Sequence, residues 1–378
     1  MMTAIPMLDL KNQYITLQSE INAAIQNVLY SSEFIRGGIV REFEQNLANQ
    51  LNVKHAIGTA NGTDALQIAL MALNLQPSDE VIVPDFTFIS PAETVALLGL
   101  TPVFADVDYD TFNITADSIK KVLTKRTKAI IPVHLFGQCA DMESILQIAR
   151  EHNLFVIEDA CQSINADYTF TNKNTIKSGC IGDVGCTSFF PSKNLGAYGD
   201  AGAVFTNNDL LAEKIRAIAN HGSKIRYQHE CIGINSRLDS IQAAILNVKL
   251  KYLDKFTTER QNIANIYDSE FADCPEIKIP TRNSQSTHVF HQYTVKIQGN
   301  KRDEIRKLMN ERGIATAVYY PTALHQQPVF EPFINSQCPI SETLSAEVLS
   351  LPIFPELTHE QAKYIAHEMK KACRFEEA

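Results

Sequence analysis

Apolar positions recur at helical spacing near the start of the chain: Ile21, Ala24, Ile25, Val28 and Leu29, then, past Gly37-Gly38, Val40, Phe43 and Leu47. The spacing predicts two amphipathic helices ahead of the first strand. From His55 the pattern changes to short unbroken apolar runs that alternate with helical stretches. The runs are His55–Thr59, Val81–Val83, Val103–Ala105, Ala129–Val133 and Leu154–Ile157. The helices are expected up to Leu73 and over Ser90–Leu98, Ala116–Leu123 and Met142–His152. Strands that are apolar on both faces and separated by helices predict an α/β fold, with a mostly parallel central sheet covered on both sides. Two more apolar runs, Val184–Phe190 and Gly202–Phe205, precede a helix over Asp209–Ala219.

Past a helical stretch at Ser236–Asp254 that rhythm is lost. A long helix is expected to about Phe271, and His291–Ile297 alternates as a half-buried strand does. Arg302–Arg312 reads as a helix, Ile314–Val318 as a short strand, and Ser341–Leu349 and Thr358–Ala372 as closing helices. The expected organisation is a large α/β domain over 1–250 and a smaller C-terminal α+β domain over 251–378.

Composition narrows the partners. The 378 residues carry 34 Lys and Arg against 43 Asp and Glu, a net charge of −9, which argues against nucleic acid or anionic membrane as a partner. Apolar stretches are interrupted before membrane-spanning length, and Met1–Leu8 has no basic or apolar signal region. The eight cysteines are scattered, with no C-x-x-C pair, so a reduced, cytoplasmic protein is expected.

The candidate chemistry centres on residues 182–205. Here Lys193 stands on a loop punctuated by Pro191, Gly196, Gly199 and Gly202, between two apolar runs. A lysine in that place is either solvated or used, and its use would be a Schiff base with a carbonyl cofactor. Asn61-Gly62-Thr63-Asp64 follows a strand and opens a helix. Gly62 and Thr63 could hold a phosphate at the positive helix end, or the segment is a plain cap. Asp159 emerges from Phe155-Val156-Ile157. It suits a protonated ring nitrogen, and equally a helix cap or a structural ion pair. Gln162 could donate to a ring oxygen, Phe88 could stack on a ring or sit in the core, and Ser188 could reach a phosphate or bond backbone. Together these groups make up the inventory for pyridoxal 5′-phosphate. The glycines after Lys193 are not a dinucleotide fingerprint, and His288 and His291 lack metal-ligand spacing.

Ser188-Phe189-Phe190-Pro191-Ser192-Lys193-Asn194-Leu195-Gly196, with Gly199-Asp200-Ala201-Gly202, resembles the DegT/StrS-type nucleotide-sugar aminotransferases, a branch of the fold-type I pyridoxal-phosphate enzymes. Ala60–Leu66, Pro132–Gln138, Glu158–Ser163 and Asn235–Asp239 carry the likeness from about Leu8 to the C-terminus. The resemblance implies that Lys193 bonds the cofactor, Asp159 partners its ring nitrogen, Gln162 its oxygen, and Phe88 stacks on it. Gly62, Thr63 and Ser188 match phosphate ligands. Asn235 matches a phosphate contact delivered by a partner subunit, which implies a homodimer with shared active sites. The family's dehydratase offshoot has histidine where Lys193 stands, so lysine implies transamination, with L-glutamate as the usual donor. The likeness is greatest to enzymes aminating C3 of UDP-2-acetamido-3-keto hexuronic acids for bacterial surface polysaccharide such as lipopolysaccharide O-antigen. There Arg237 would bind a carboxylate, of glutamate or of the uronate, where its plain alternative is an ion pair at a helix start. Where that group has His-Tyr-Pro this chain has Tyr319-Tyr320-Pro321, which leaves room for an uncharged UDP-3-keto-GlcNAc, a dTDP-3-keto-6-deoxyhexose or a 4-keto sugar. Tyr319 and Tyr320 are expected at the sugar, with His325 close by. A catalytically silent regulator on the same fold is the alternative of another class.

Overall fold

The computed structural model describes residues 4–225, 227–334 and 336–374. Residues 1–3 of the N-terminal stretch read above, Arg226, Asn335 and residues 375–378 lie outside it. Two helices open the chain, Leu10–Ser31 (α1) and Gly38–Leu51 (α2). Asp9 accepts the Asn12 N–H at 3.0 Å and caps α1, while Asn52 ends α2 in the left-handed conformation that Asn tolerates. Then come His55–Thr59 (β1), Gly62–Ala72 (α3), Glu80–Pro84 (β2), Ser90–Leu97 (α4), Thr101–Ala105 (β3), Ala116–Val122 (α5), Thr127–Ile130 (β4), Met142–His152 (α6) and Phe155–Asp159 (β5). A hairpin of Asp167–Thr169 (β6) and Thr175–Lys177 (β7) leads to Val184–Ser188 (β8) and Gly202–Thr206 (β9).

Seven of these strands form one sheet in the order β1-β9-β8-β5-β4-β2-β3. Pairing is parallel from β8 through β5, β4 and β2 to β3, and β9 runs against both its neighbours. The expected α/β architecture is therefore present, with one reversed strand. That reversal places Gly202 opposite both Thr59 and Ser188. The Lys193 loop thus rises from the edge where the parallel strands end, the ligand-binding edge of such sheets.

After Asp209–Ile218 (α7) and a second hairpin, Ser223–Ile225 (β10) and Gln228–His229 (β11), come Ser240–Leu250 (α8) and Leu253–Phe271 (α9). The helix expected from Ser236 begins only at Ser240. Residues 235 and 239 make single bridges to Asn220 and Ile35, so this stretch is extended. Ile277–Lys278 (β12), Tyr293–Ile297 (β13), Arg302–Glu311 (α10), Pro339–Glu347 (α11), Val348–Leu351 (β14) and His359–Cys373 (α12) complete the chain. Ile314–Val318 is not a strand but two isolated bridges, Ile314 to Ile5 and Ala317 to Ser350. The helix expected over Ser341–Leu349 stops at Glu347, because buried Val348–Leu351 pairs with β13. A short apolar run at a helix end does not declare its type by periodicity.

The core beneath the sheet is built on Leu66, Ile68, Val81, Val83, Ile157 and Val204. A second core gathers Tyr267, Tyr293, Val295, Met309, Leu351, Ile365 and Met369. Chain order and packing cross twice: Ile5 joins the second core, and Leu324, Phe330 and Cys338 join the first. Among the described residues no helix is long and apolar enough to cross a membrane.

Candidate active site

A cavity of about 670 Å³ opens at the carboxyl edge of the sheet and collects Gly62, Thr63, Phe88, Asp159, Gln162, Ser188, Lys193, Tyr319 and Tyr320 in its wall. One side is the start of α3. Asn61 caps it by accepting the Asp64 N–H at 2.8 Å, so the capping reading holds. Among the described residues the Gly62 and Thr63 N–H groups have no backbone acceptor, which leaves the positive helix end open for an anion as well. Gly62 also makes space. A Cβ there would stand 2.7 Å from Ser188 Cβ and 3.1 Å from Cys161 Sγ. The Thr63 and Ser188 hydroxyls flank this cradle. Thr63 Oγ1 lies 2.8 Å from Ser90 Oγ, and Ser188 Oγ accepts the Phe190 N–H at 3.2 Å. A small, hydroxyl-rimmed cradle at a helix N-terminus fits a phosphate.

Across the cavity, β5 ends in two acids with opposite fates, since successive strand residues face opposite sides. Glu158 points away and accepts Gly179, Ile181 and Gly182 N–H groups at 3.0, 2.6 and 2.7 Å. It also meets His134 Nε2 at 2.8 Å. Because His134 Nδ1 accepts the Ala140 N–H at 3.1 Å, the ring proton is on Nε2 and is donated to Glu158. Asp159 points into the cavity, 5 % exposed. Its Oδ1 accepts the Cys161 N–H at 3.0 Å, which holds the carboxylate in place. No described cation pairs with it at ion-pair distance, which suits a protonated ring nitrogen better than a structural ion pair.

Gln162 is fixed at both ends. Its Oε1 accepts the Phe136 N–H at 2.8 Å, so its Nε2 faces the cavity, donates to the Tyr320 hydroxyl at 3.1 Å and keeps a second proton to give. Burial pushes the Tyr320 and Tyr319 phenols above their ordinary range, so both are neutral hydrogen-bonding groups. Phe88 is 53 % exposed, its ring 6.3 Å from that of Tyr320, so it is a rim residue rather than core. Cys161 is no nucleophile: burial first, then the Asp159 charge, lifts its thiol well above the usual value.

Lys193 lies on a loop closed by Phe189 N–H to Ala201 O and Ala197 N–H to Phe189 O, both 2.7 Å, and by its own N–H to Phe190 O at 2.8 Å. Asn194 Nδ2 ties the loop to Val289 O at 2.9 Å, and Lys249 Nζ to Gly196 O at 2.5 Å. The lysine amine is thus carried by a fixed backbone.

Three expected residues are not in this wall. Asn235 is exposed on the extended stretch before α8, and Arg237, partly buried, lies on the same stretch. His325 does not reach the cavity. Its backbone N–H and Nδ1 bond the buried Asp85 carboxylate at 2.8 and 2.7 Å, and its Nε2 lies 3.2 Å from Glu342. A buried carboxylate needs a partner, and His325 is that partner here. Ser90, Asp200, His291 and Gln292 also line the wall, though local pattern does not single them out as site residues. For His291 the sequence does hold a signal, a polar pair at the head of an apolar strand.

The model of the DegT/DnrJ/EryC1/StrS aminotransferase family matches residues 16–370. A Geobacillus stearothermophilus protein named pleiotropic regulatory protein is 47% identical over 377 residues, covering 98% of this chain and 99% of its own. The UDP-N-acetyl-3-dehydro-alpha-D-glucosamine 3-aminotransferase of Acidithiobacillus ferrooxidans is 44% identical, covering 98% of each chain. The UDP-2-acetamido-2-deoxy-3-oxo-D-glucuronate aminotransferase of Pseudomonas aeruginosa is also 44% identical, over 96% of this chain and 98% of its own. The crystal structure of DesV from S. venezuelae superposes with a TM-score of 0.95 at 37% identity over 100% of both chains.

Proposed function

From the premise that this chain belongs to the DegT/DnrJ/EryC1/StrS aminotransferase family, and is a pyridoxal 5′-phosphate-dependent aminotransferase, we propose that it moves an amino group from L-glutamate to C3 of a UDP-2-acetamido-2-deoxy-3-oxo sugar. The glucuronic acid form is the proposed acceptor, for a bacterial surface polysaccharide. The observation that carries the reading is one cavity wall holding Lys193, Asp159 and the open start of α3.

When bound, the cofactor supplies a carbonyl carbon and an electron sink. The residues divide the remaining work. Gly62, Thr63 and Ser188 hold the phosphate at the start of α3. Asp159 accepts the ring N–H and keeps that nitrogen protonated. Gln162 Nε2 would donate a hydrogen bond through its second N–H to the ring oxygen, and Phe88 would cover one face from the rim. Lys193 Nζ is the group that would hold the carbonyl, and its free amine would carry the proton from the Cα of glutamate and, in the second half-reaction, to the sugar carbon. Tyr319 and Tyr320 shape the side on which the sugar enters and narrow access for water.

The acceptor reading draws on the two relatives named for UDP-3-oxo sugars. The uronate form needs a cation for its carboxylate. Arg237 lies on the same stretch as Asn235, so a second copy that delivers Asn235 to the phosphate brings Arg237 with it. Exposed Leu29, Tyr30, Phe34 and Ile35 at the α1–α2 junction support such a homodimer with shared sites. A specific observation favours the uncharged UDP-3-keto-GlcNAc as a second reading: among the described residues in the wall, Lys193 is the one Lys or Arg. All eight cysteines are free, which supports a cytoplasmic setting.

The test is glutamate-dependent amination of both 3-oxo sugars, followed as 2-oxoglutarate. The uronate should win on kcat/KM, and Arg237→Ala should raise KM for the uronate alone. Equal use of the two, with Arg237→Ala neutral, overturns the uronate in favour of the second reading. Absence of 2-oxoglutarate with either overturns the acceptor class. For the shared site, mixing Lys193→Ala and Asn235→Ala chains should restore about a quarter of normal activity, since about half the dimers are mixed and each mixed dimer holds one intact site of two.

A further inference from the structure

His291 stands two residues before β13 and lines the same cavity as Lys193. It is 7 % exposed, and its Nδ1 is sealed from solvent with no hydrogen-bond partner among the described residues. A buried polar atom without a partner costs about 1–3 kcal/mol, so a ring left in this condition in the wall that a reactive amine also lines calls for a use. Its backbone is clamped. Arg260 Nη1 donates to Phe290 O at 3.1 Å, His291 O at 3.4 Å and Ile353 O at 2.7 Å. The neighbouring His288 is already spent: its Nδ1 accepts the Phe290 N–H at 3.0 Å, and its ring stacks on Phe290 at 3.8 Å. Burial, then the charges of Lys193 and Arg260, hold the His291 imidazole well below its ordinary value, so the ring is neutral at neutral pH.

A neutral imidazole has one donor nitrogen and one acceptor nitrogen. An orphaned acceptor is tolerated more readily than an orphaned N–H, which assigns the bare lone pair to Nδ1. We propose that His291 is a positioning residue for Lys193: its unprotonated Nδ1 accepts a hydrogen bond from the lysine amine and aims that amine's lone pair at the substrate Cα during the interval when the amine is displaced. The proposal rests on Lys193 being the proton carrier. The balance is simple. The Cα–H bond breaks, an N–H bond forms on Lys193, the electron pair stays with the substrate, and His291 gains no proton because it only accepts the hydrogen bond.

Two variants and two kinds of measurement test it. In the cofactor-free protein, imidazole ¹⁵N spectra should show His291 with a bare Nδ1 and no titration from about pH 5 to about 9. A protonated Nδ1 in that range overturns the proposal. In the loaded protein, His291→Phe should keep the cofactor's visible band. It should slow the half-reaction with glutamate about 100-fold at nearly unchanged KM, and enlarge the isotope effect with Cα-deuterated glutamate. His291→Asn, whose amide oxygen accepts, should recover about tenfold of that loss and covers the case in which the Phe variant folds poorly. A His291→Phe half-reaction within about threefold of normal, or an unchanged isotope effect, overturns it. The two failures separate. If Lys193→Ala leaves the cofactor band and the turnover unaltered, the reading of Lys193 fails. If Lys193→Ala is inactive while His291→Phe is normal, only this inference fails.

Discussion

Replacing Lys249 with Met should remove a pH dependence of stability that comes from one buried ammonium. Lys249 lies on α8, 1 % exposed, with its amine on Gly196 O at 2.5 Å and 5.1 Å from the Tyr198 ring. Burial brings its pKa from 10.5 down to about 8, with Glu356 pulling it up and Arg260 pushing it further down. A displacement of that size is a penalty of about 3 kcal/mol on the charged form. The sign follows from proton counting. Between those two pKa values the unfolded chain holds a proton that the folded chain has released, so raising the pH across that window favours the folded state. From about pH 7 to about pH 9.5, the part recovered is about 2 kcal/mol. Methionine fills a similar volume and carries no proton. Urea unfolding of the cofactor-loaded wild type and variant at both pH values isolates the effect, since titrations common to both cancel. The difference between them should move by about 2 kcal/mol in favour of the wild type as pH rises. A difference constant to within about 0.5 kcal/mol refutes the reasoning, because the ammonium would then bear no burial cost.

Four further outcomes follow from the site. Gly62→Ala puts a methyl group 2.7 Å from Ser188 Cβ and should raise the cofactor Kd about tenfold or more, measured by titration, with an overpacking cost of about 1–3 kcal/mol read as a lower Tm. Asp159→Asn should keep the cofactor linked to Lys193 yet slow the glutamate half-reaction about 100- to 1,000-fold in stopped flow, since the ring nitrogen loses its anion. Tyr320→Phe deprives Gln162 Nε2 of one acceptor and should lower kcat/KM less than about tenfold, the worth of one neutral hydrogen bond. His325→Ala takes the imidazole from the buried Asp85 carboxylate and leaves it the residue 325 backbone N–H, and should cost about 3 kcal/mol in urea unfolding, with KM for the sugar little changed. A large KM effect there would restore the sugar contact that the geometry disfavours.

The sheet was legible because its strands are short runs, apolar on both faces, that recur between helical stretches. The lysine loop was legible because Pro191 and three glycines stop two buried runs at one place. What escaped was whatever depends on pairing rather than on local pattern. The hairpins β6–β7 and β10–β11 are too short to show alternation. Val348–Leu351 reads as the end of a helix until β13 is beside it. The reversal of β9 is invisible in its residues and follows only from its partners.

The same division explains which site residues could be anticipated. Glu158 and Asp159 are adjacent acids, and the strand's alternation alone requires that they face opposite ways. It does not say which faces the cavity. That is decided by three backbone N–H groups from 179, 181 and 182, together with His134, which consume Glu158 on the far side. A carboxylate so fully bonded has no capacity left for chemistry, whereas Asp159, with one backbone bond, keeps its charge available toward the cavity. His325 and His291 follow the same rule in opposite directions. Each is a histidine near an apolar segment, and the sequence treats them alike. His325 has both ring nitrogens against carboxylates and is therefore structural. His291 lines the wall that Lys193 also lines, and its Nδ1 has no partner among the described residues, which leaves it available. In this cavity wall the scaffold leaves hydrogen-bonding capacity on Asp159 and His291 for a bound molecule or the lysine amine to use.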